Sequence, residues 1–131
     1  MIHLDTNYLI NLLRPASPAA EEVDAWLAAG EVIAVSSPAW SEFLSGPVQP
    51  VEVERSQIIL QGGIAPFGRA EAVMAAELFN QTGRRRGSRL DCMIAAIAIL
   101  ANADFATYNE QDFKPFRIHG LKLVKALNPV V

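Results

Sequence analysis

The chain has 131 residues, 51% of them apolar, which is near the commonest size for one domain and enough for a sizeable core. A formal net charge of -3 excludes a general nucleic-acid coat, which would be strongly basic, but leaves room for an enzyme that meets a few phosphates through a local basic loop. Cys92 is the only cysteine, so no internal disulfide is possible and a reducing cytoplasm is the simpler setting.

The longest apolar run, Met93 to Ala101, covers about half a bilayer span, so no membrane role is expected. A carboxylate at the fifth residue and the missing basic start argue against a secretory signal. Ile2 to Leu4 is a short first strand. Thr6 is placed to cap a helix through Leu9, Ile10, Leu12 and Leu13, which Pro15 ends. Ser17-Pro18 restarts a helix with Val23, Trp26 and Leu27 as its apolar stripe and Gly30 as its stop. Val32 to Val35 is a β-rich run suited to a strand covered on both faces. Ser37-Pro38 opens the next helix, which fades at Gly46, and Pro47 and Pro50 mark a loop. Val51 to Leu60 reads as a helix with Val51, Ile58 and Ile59 inward, broken by Gly62-Gly63. Arg69 to Gln81 carries Ala72, Val73, Ala76 and Phe79 at helical spacing. Gly83 to Gly87 is a basic loop holding Arg84, Arg85 and Arg86. Ser88 to Leu100 is the clearest helix, with Ile94, Ala95, Ala98 and Ile99 on its face. Phe105 to Thr107 and Leu121 to Val124 are further strands. Strands alternating with helices predict an α/β fold, a small mostly parallel sheet flanked by helices, with residues 1–131 forming a single domain.

In such sheets ligands bind beyond the carboxyl ends of the strands. Asp5 ends the first strand, Glu42 and Asp91 are expected in first turns of helices, and Asn109 and Asp112 follow the strand at Phe105. Carboxylates are seldom buried unless paired or bound to a metal, so acids gathered at one edge suggest a shared cation. Each acid also has a plain structural reading. Ser88-Arg-Leu-Asp91 matches a capping box. Glu42 alone would complement a helix dipole, and Asp112 alone would be a turn residue before Phe113. Asp5, directly after a buried strand, has the least structural reason to be charged. Glu21, Glu22 and Asp24 read as a solvated helix face, and Cys92 as a small buried apolar residue. The three arginines are either a solvated loop or a phosphate contact, since the guanidinium fork matches phosphate oxygens. No nucleophile elbow, dinucleotide fingerprint or Walker loop is present.

Four segments together resemble PIN-domain ribonucleases, and specifically the VapC-type toxins of bacterial toxin–antitoxin pairs. They are Leu4-Asp-Thr-Asn-Tyr-Leu-Ile, Ser36-Ser-Pro-Ala-Trp-Ser-Glu-Phe, Arg89-Leu-Asp-Cys-Met-Ile-Ala-Ala-Ile-Ala and Ala106-Thr-Tyr-Asn-Glu-Gln-Asp-Phe, with a closing Leu121-Lys-Leu-Val and Asn128-Pro129. The resemblance implies a single PIN-like nuclease domain in which Asp5, Glu42 and Asp91 are the first three acids of the site. The fourth position departs from one common family pattern, with Asn109 in place of an acid. A second family pattern puts asparagine there and an acid three residues on, which Asp112 matches. Either residue could complete the site.

The resemblance implies hydrolysis of RNA phosphodiesters with Mg²⁺ or Mn²⁺, hard ions that suit oxygen ligands. Asp5 and Asp91 are the expected principal ligands. Glu42 is expected to be a ligand or to orient a bound water, and Asp112 to help hold a second ion or its waters. Thr6, Asn7, Thr107 and Asn109 are expected to support the ligands or touch substrate, and Arg84, Arg85 and Arg86 to touch RNA. A cognate antitoxin and a homodimer through the Arg69–Gln81 helix are the expected partners. Leu9, Leu12, Leu13, Trp26 and Leu27 are candidates for an antitoxin groove. One alternative is a PIN-like protein acting with a DNA-binding partner with little catalysis, though the three leading acids argue against lost activity. Another is a response-regulator-like domain, which the missing early acid pair and late lysine disfavour.

Overall fold

The computed structural model describes residues 1–124; Asn128-Pro129 lies outside the described residues. Five strands form one sheet, β1 (Ile2–Leu4), β2 (Ile33–Ser36), β3 (Ile64–Ala65), β4 (Asp104–Ala106) and β5 (Lys122–Leu123). Their order is β3-β2-β1-β4-β5 and every pairing is parallel. This is the α/β sheet flanked by helices that the alternation predicts. β1 lies at its centre, in register with Ile33–Val35 on one side and Asp104–Ala106 on the other. The chain first builds outward through β2 and β3, then returns to β1's other edge with β4. That reversal leaves a crevice between the carboxyl ends of β1 and β4.

Among the described residues seven helices accompany the sheet: α1 (Thr6–Leu12), α2 (Pro18–Ala28), α3 (Ser37–Leu44), α4 (Pro50–Ile59), α5 (Arg69–Gln81), α6 (Arg89–Leu100) and α7 (Glu110–Phe113). A 3-10 helix, Lys114–His119, follows α7. No helix among the described residues is long and apolar enough to cross a membrane. α6 is buried nearly all round, at Cys92, Ile94, Ala95, Ala96, Ile97 and Ala98, which makes it the central helix. Its small alanines let it lie close to its neighbours, and Cys92 is a buried core residue as expected.

Several expectations need correction. Asp5, not Thr6, is the N-cap of α1, accepting a hydrogen bond from the Thr6 backbone N–H. Val51 and Ile58 face solvent rather than the core, while Ser56 and Leu60 are buried; the Ser56 hydroxyl tolerates this by donating to the Glu52 carbonyl at 2.8 Å. On α5 the inward side chains are Ala75 and Leu78, with Met74 and Phe79 half-buried; Ala72, Val73 and Ala76 point outward. Leu9, Leu12 and Trp26 are buried in the core, so of the proposed groove only Leu13 and Leu27 remain partly at the surface. Glu22 is buried and not on a solvated face. The two-residue β3 and the short α7 have no counterpart in the sequence reading. Gly62 makes room before β3, since a Cβ there would stand 2.9 Å from that of Ala34.

Candidate active site

Asp5 leaves β1 at the crevice, and its carboxylate is almost wholly buried. One oxygen accepts from the Thr6 N–H at 2.8 Å, and the other from the Thr107 hydroxyl at 2.7 Å. Thr107 directly follows β4, so this bond ties the ends of the two central strands together across 102 residues of chain. Asn109 donates its backbone N–H to the same Thr107 hydroxyl at 2.9 Å. Asn7 accepts a long bond, 3.5 Å, from the Tyr108 N–H. Asp5 therefore has a structural role as a cap and a tie, more than its place directly after a strand suggests.

The surrounding acids act on this carboxylate. Burial raises the Asp5 pKa above its ordinary 3.8; the Thr107 and Thr6 hydrogen bonds pull it down, and the charges of Glu42 and Asp112 push it up. Asp91 is pushed up to about 6, first by burial and then by Asp5, Asp112 and Glu42, with Arg85 opposing. Four carboxylates from α1's cap, α3, α6 and α7 thus share one electrostatic environment.

Their local settings differ from the expected ones. Glu42 is the sixth residue of an eight-residue helix, not a first-turn acid. It lies in the last turn, where the helix dipole disfavours negative charge, so the dipole gives no reason for an acid there. Asp91 is in the first turn of α6, yet the capping box does not form: Ser88 makes no cap bond, and its hydroxyl donates to the Arg85 carbonyl at 2.7 Å. Asp112 is on α7 and exposed, and its charge reaches both Asp5 and Asp91. Asn109 caps α7 without a side-chain bond.

The donor set suits a hard divalent cation, since it is all oxygen and carries excess negative charge. The Thr6 hydroxyl beside Asp5 is buried with no hydrogen-bond partner, which leaves a polar group open to an ion's water. Among the described residues no three acids, histidines or cysteines are yet close enough to ring one ion. Glu42 and Asp112 are exposed and therefore free to change rotamer.

The basic loop treats its three arginines differently. Gly83 and Gly87 bracket it at φ 88 and 82, backbone conformations that side chains resist. Arg84 bonds to Asn80 and lies 5.3 Å over the Phe79 ring. Arg85 turns inward, donating to the Asp112 carbonyl at 3.3 Å and lying 5.7 Å over Phe116. Its Nε is buried without a partner. Arg86 is exposed.

Tyr8, Tyr108 and Glu22 were missed as neighbours of the site. Glu22 accepts from the Tyr8 hydroxyl at 2.9 Å and, more weakly, from Tyr108 at 3.5 Å. A signal was available, since Ala19, Glu22, Val23 and Trp26 are the buried residues of α2 and follow helical spacing.

Among curated proteins none matches the chain. Among solved structures it is similar to VapBC2 from Rickettsia felis bound to a promoter DNA fragment, at 26% identity and a TM-score of 0.70, covering 95% of this chain and 98% of that one. FitAcB from Neisseria gonorrhoeae gives 23% identity and a TM-score of 0.69, with 96% and 98% covered. VapBC-1 from nontypeable Haemophilus influenzae gives 18% and 0.70, with 98% and 100% covered, and shares the fold. The likeness to VapBC2 bears out the VapC-type resemblance, the PIN domain family model matches residues 2–117, and the chain belongs to the PIN domain family.

Proposed function

We propose that this protein is a metal-dependent endoribonuclease, one nuclease domain spanning residues 1–131, acting as the toxin of a bacterial toxin–antitoxin system. The observation that carries the reading is the buried Asp5 carboxylate at the carboxyl end of β1, held by Thr107 and the Thr6 N–H, with Asp91 near enough that the charges of Asp5, Asp112 and Glu42 help raise its pKa. Like charges gathered beside a buried carboxylate cost folding energy that a bound cation would relieve. Family membership supports nuclease chemistry.

Asp5 and Asp91 would hold Mg²⁺ or Mn²⁺, with Glu42 as a further ligand or water-orienting group. The bound ion would supply Lewis-acid activation of the phosphodiester and a water of lowered pKa. Thr107 and the Thr6 N–H fix the Asp5 carboxylate in one orientation, so it needs no reordering when it acts. Asp112 would hold a second ion or its waters; we prefer it to Asn109 because a carboxylate binds a cation more strongly than an amide. Asn7 and Asn109 would support this edge. Arg85, already inside the site, would contact a substrate phosphate, and Arg84 and Arg86 the flanking backbone.

A cognate antitoxin is the proposed protein partner, since the similar solved structures include VapBC and FitAcB. A homodimer is proposed through the outward face of α5, where Val73 is 56% exposed beside Ala72 and Ala76. The setting is the cytoplasm. A second reading, action with a DNA-binding partner and little catalysis, draws on the promoter DNA in the Rickettsia felis structure.

The test is to express the chain alone and with its neighbouring gene, and to assay the purified protein on RNA. Cleavage should need Mg²⁺ or Mn²⁺ and stop with a chelator, and growth arrest should appear only without the neighbour. Metal-independent behaviour with no cleavage of any RNA, alongside operator binding with a partner, would leave the second reading.

A further inference from the structure

Beside the acids stands an aromatic cluster that the metal chemistry does not use. The rings of Tyr8 and Tyr108 stack with centroids 4.3 Å apart and planes 6° apart. Tyr8 is buried and leans on Trp26 at 5.8 Å. Both tyrosine hydroxyls reach the buried Glu22 carboxylate, one from each ring. Tyr108 is thus oriented from below by a ring and at its tip by a hydroxyl contact, yet remains 43% exposed.

Its position ties it to the site. Thr107, the residue before it, donates to Asp5, and its own N–H reaches Asn7. A stack of two parallel rings with an open outer ring has the form of a platform for a third plane. The four acids repel phosphates, so a neutral, stacking contact would add affinity to what the arginines of the basic loop supply.

We propose that Tyr108, backed by Tyr8 and Glu22, is a binding and positioning residue on which one base of single-stranded RNA stacks beside the scissile phosphate. This deepens the ribonuclease reading and rests on it. Any base offers a π-face, so the contact is tolerant of sequence and fixes where the strand lies across the acids.

The experiment combines binding and cleavage by the full chain with a short single-stranded oligoribonucleotide carrying an abasic residue at each position in turn. Binding is measured by anisotropy with chelator present, so that no cleavage occurs. For the wild type, one abasic position should weaken binding about ten-fold, as expected for the loss of one stacked base. Tyr108→Leu should weaken binding and raise KM by about the same factor on the intact strand, with kcat changed less than about two-fold, and should lose nothing more on the sensitive abasic strand. Tyr108→Phe keeps the ring but not the Glu22 contact, and should keep the sensitive abasic position with binding weakened less than in Tyr108→Leu. If no abasic position affects the wild type, or if the Tyr108→Leu defect persists equally on every abasic strand, the platform fails and the ring belongs to structure or to a protein contact. The abasic scan on wild type requires no variant to fold. Cleavage without a sensitive position would sink the platform and leave the nuclease; a sensitive position without metal-dependent cleavage would sink the nuclease and, with it, the place of the stacked base beside a scissile phosphate, leaving a ring that only binds RNA.

Discussion

Asp5 and Glu22 are both buried acids, 5% and 6% exposed, in adjoining parts of the molecule, but their neighbours are opposite in kind. Glu22 is met by hydroxyls: Tyr8 and Tyr108 donate to it, and aromatic rings close around them. Asp5 is met by a hydroxyl and an N–H, but also by the charges of Glu42 and Asp112. The first cluster is satisfied by its own residues. The second carries repulsion that the chain itself leaves unrelieved apart from Arg85, which acts on Asp91. The contrast separates an acid held by its own neighbours from the acids for which a ligand is proposed.

Charge removal should break the comparison most sharply. Asp5→Asn and Asp91→Asn should each lower RNA cleavage by at least about 100-fold, because an amide is a far weaker ligand and supplies no charge. Circular dichroism should report folded proteins. Full activity in both variants would remove these residues from the metal site.

At the satisfied acid the effect should fall on stability instead. Tyr8→Phe deprives buried Glu22 of its shorter hydrogen bond and should cost about 1–3 kcal/mol in urea unfolding. Glu22→Gln keeps an acceptor for that hydroxyl and should cost less. A larger loss from Glu22→Gln than from Tyr8→Phe would mean that the charge itself, not the hydrogen bond, matters there.

Asp112→Asn should then lower activity about ten-fold at saturating metal, more than Asn109→Ala does. The reverse ranking in folded variants would transfer the fourth role to Asn109.

The smallest effect is a pH-dependent stability difference in metal-free protein. Folding raises the Asp91 pKa from 3.8 to about 6, so the folded state holds its proton more tightly than the unfolded chain. Stability from this group is therefore lost as pH rises from below 3.8 through about 6, and the full penalty stands above that range. Asp91→Asn removes it. Allowing for solvent screening of a partly exposed group, it should melt about 3–5 °C above wild type at pH 7, for roughly 1 kcal/mol, with the gap closing below pH 4. A gap independent of pH would assign the gain to something other than charge.

Local chemistry along the chain was enough to place most elements. Ser17-Pro18 caps and starts α2, with the Ser17 hydroxyl accepting from the Ala20 N–H, and α5 spans Arg69–Gln81 as its spacing predicts. The continuous apolar run of α6 announced a buried helix, and the alternation of strand and helix announced a parallel sheet. These signals are local, since propensity, capping and period act within a few residues. The acids were also legible as a set, through the order of the four motifs.

The direction in which side chains face was decided by tertiary packing. Ala72, Val73 and Ala76 are as apolar as Ala75 and Leu78, and only the position of α6 against α5 determines which of them is inside. Val51 and Ile58 were placed inward by hydropathy and outward by the fold, with Ser56 taking the buried side because its hydroxyl could bond to its own helix. Asp91 could equally have closed a capping box, but Ser88 sits at φ -92 and ψ 0 instead of the extended conformation of a serine cap, and it makes no cap bond. The Thr107–Asp5 bond and the Tyr8–Tyr108 stack join residues about a hundred apart in the chain. No local pattern encodes such contacts, because they exist only once β4 has paired with β1 and brought the two strand ends to the same edge.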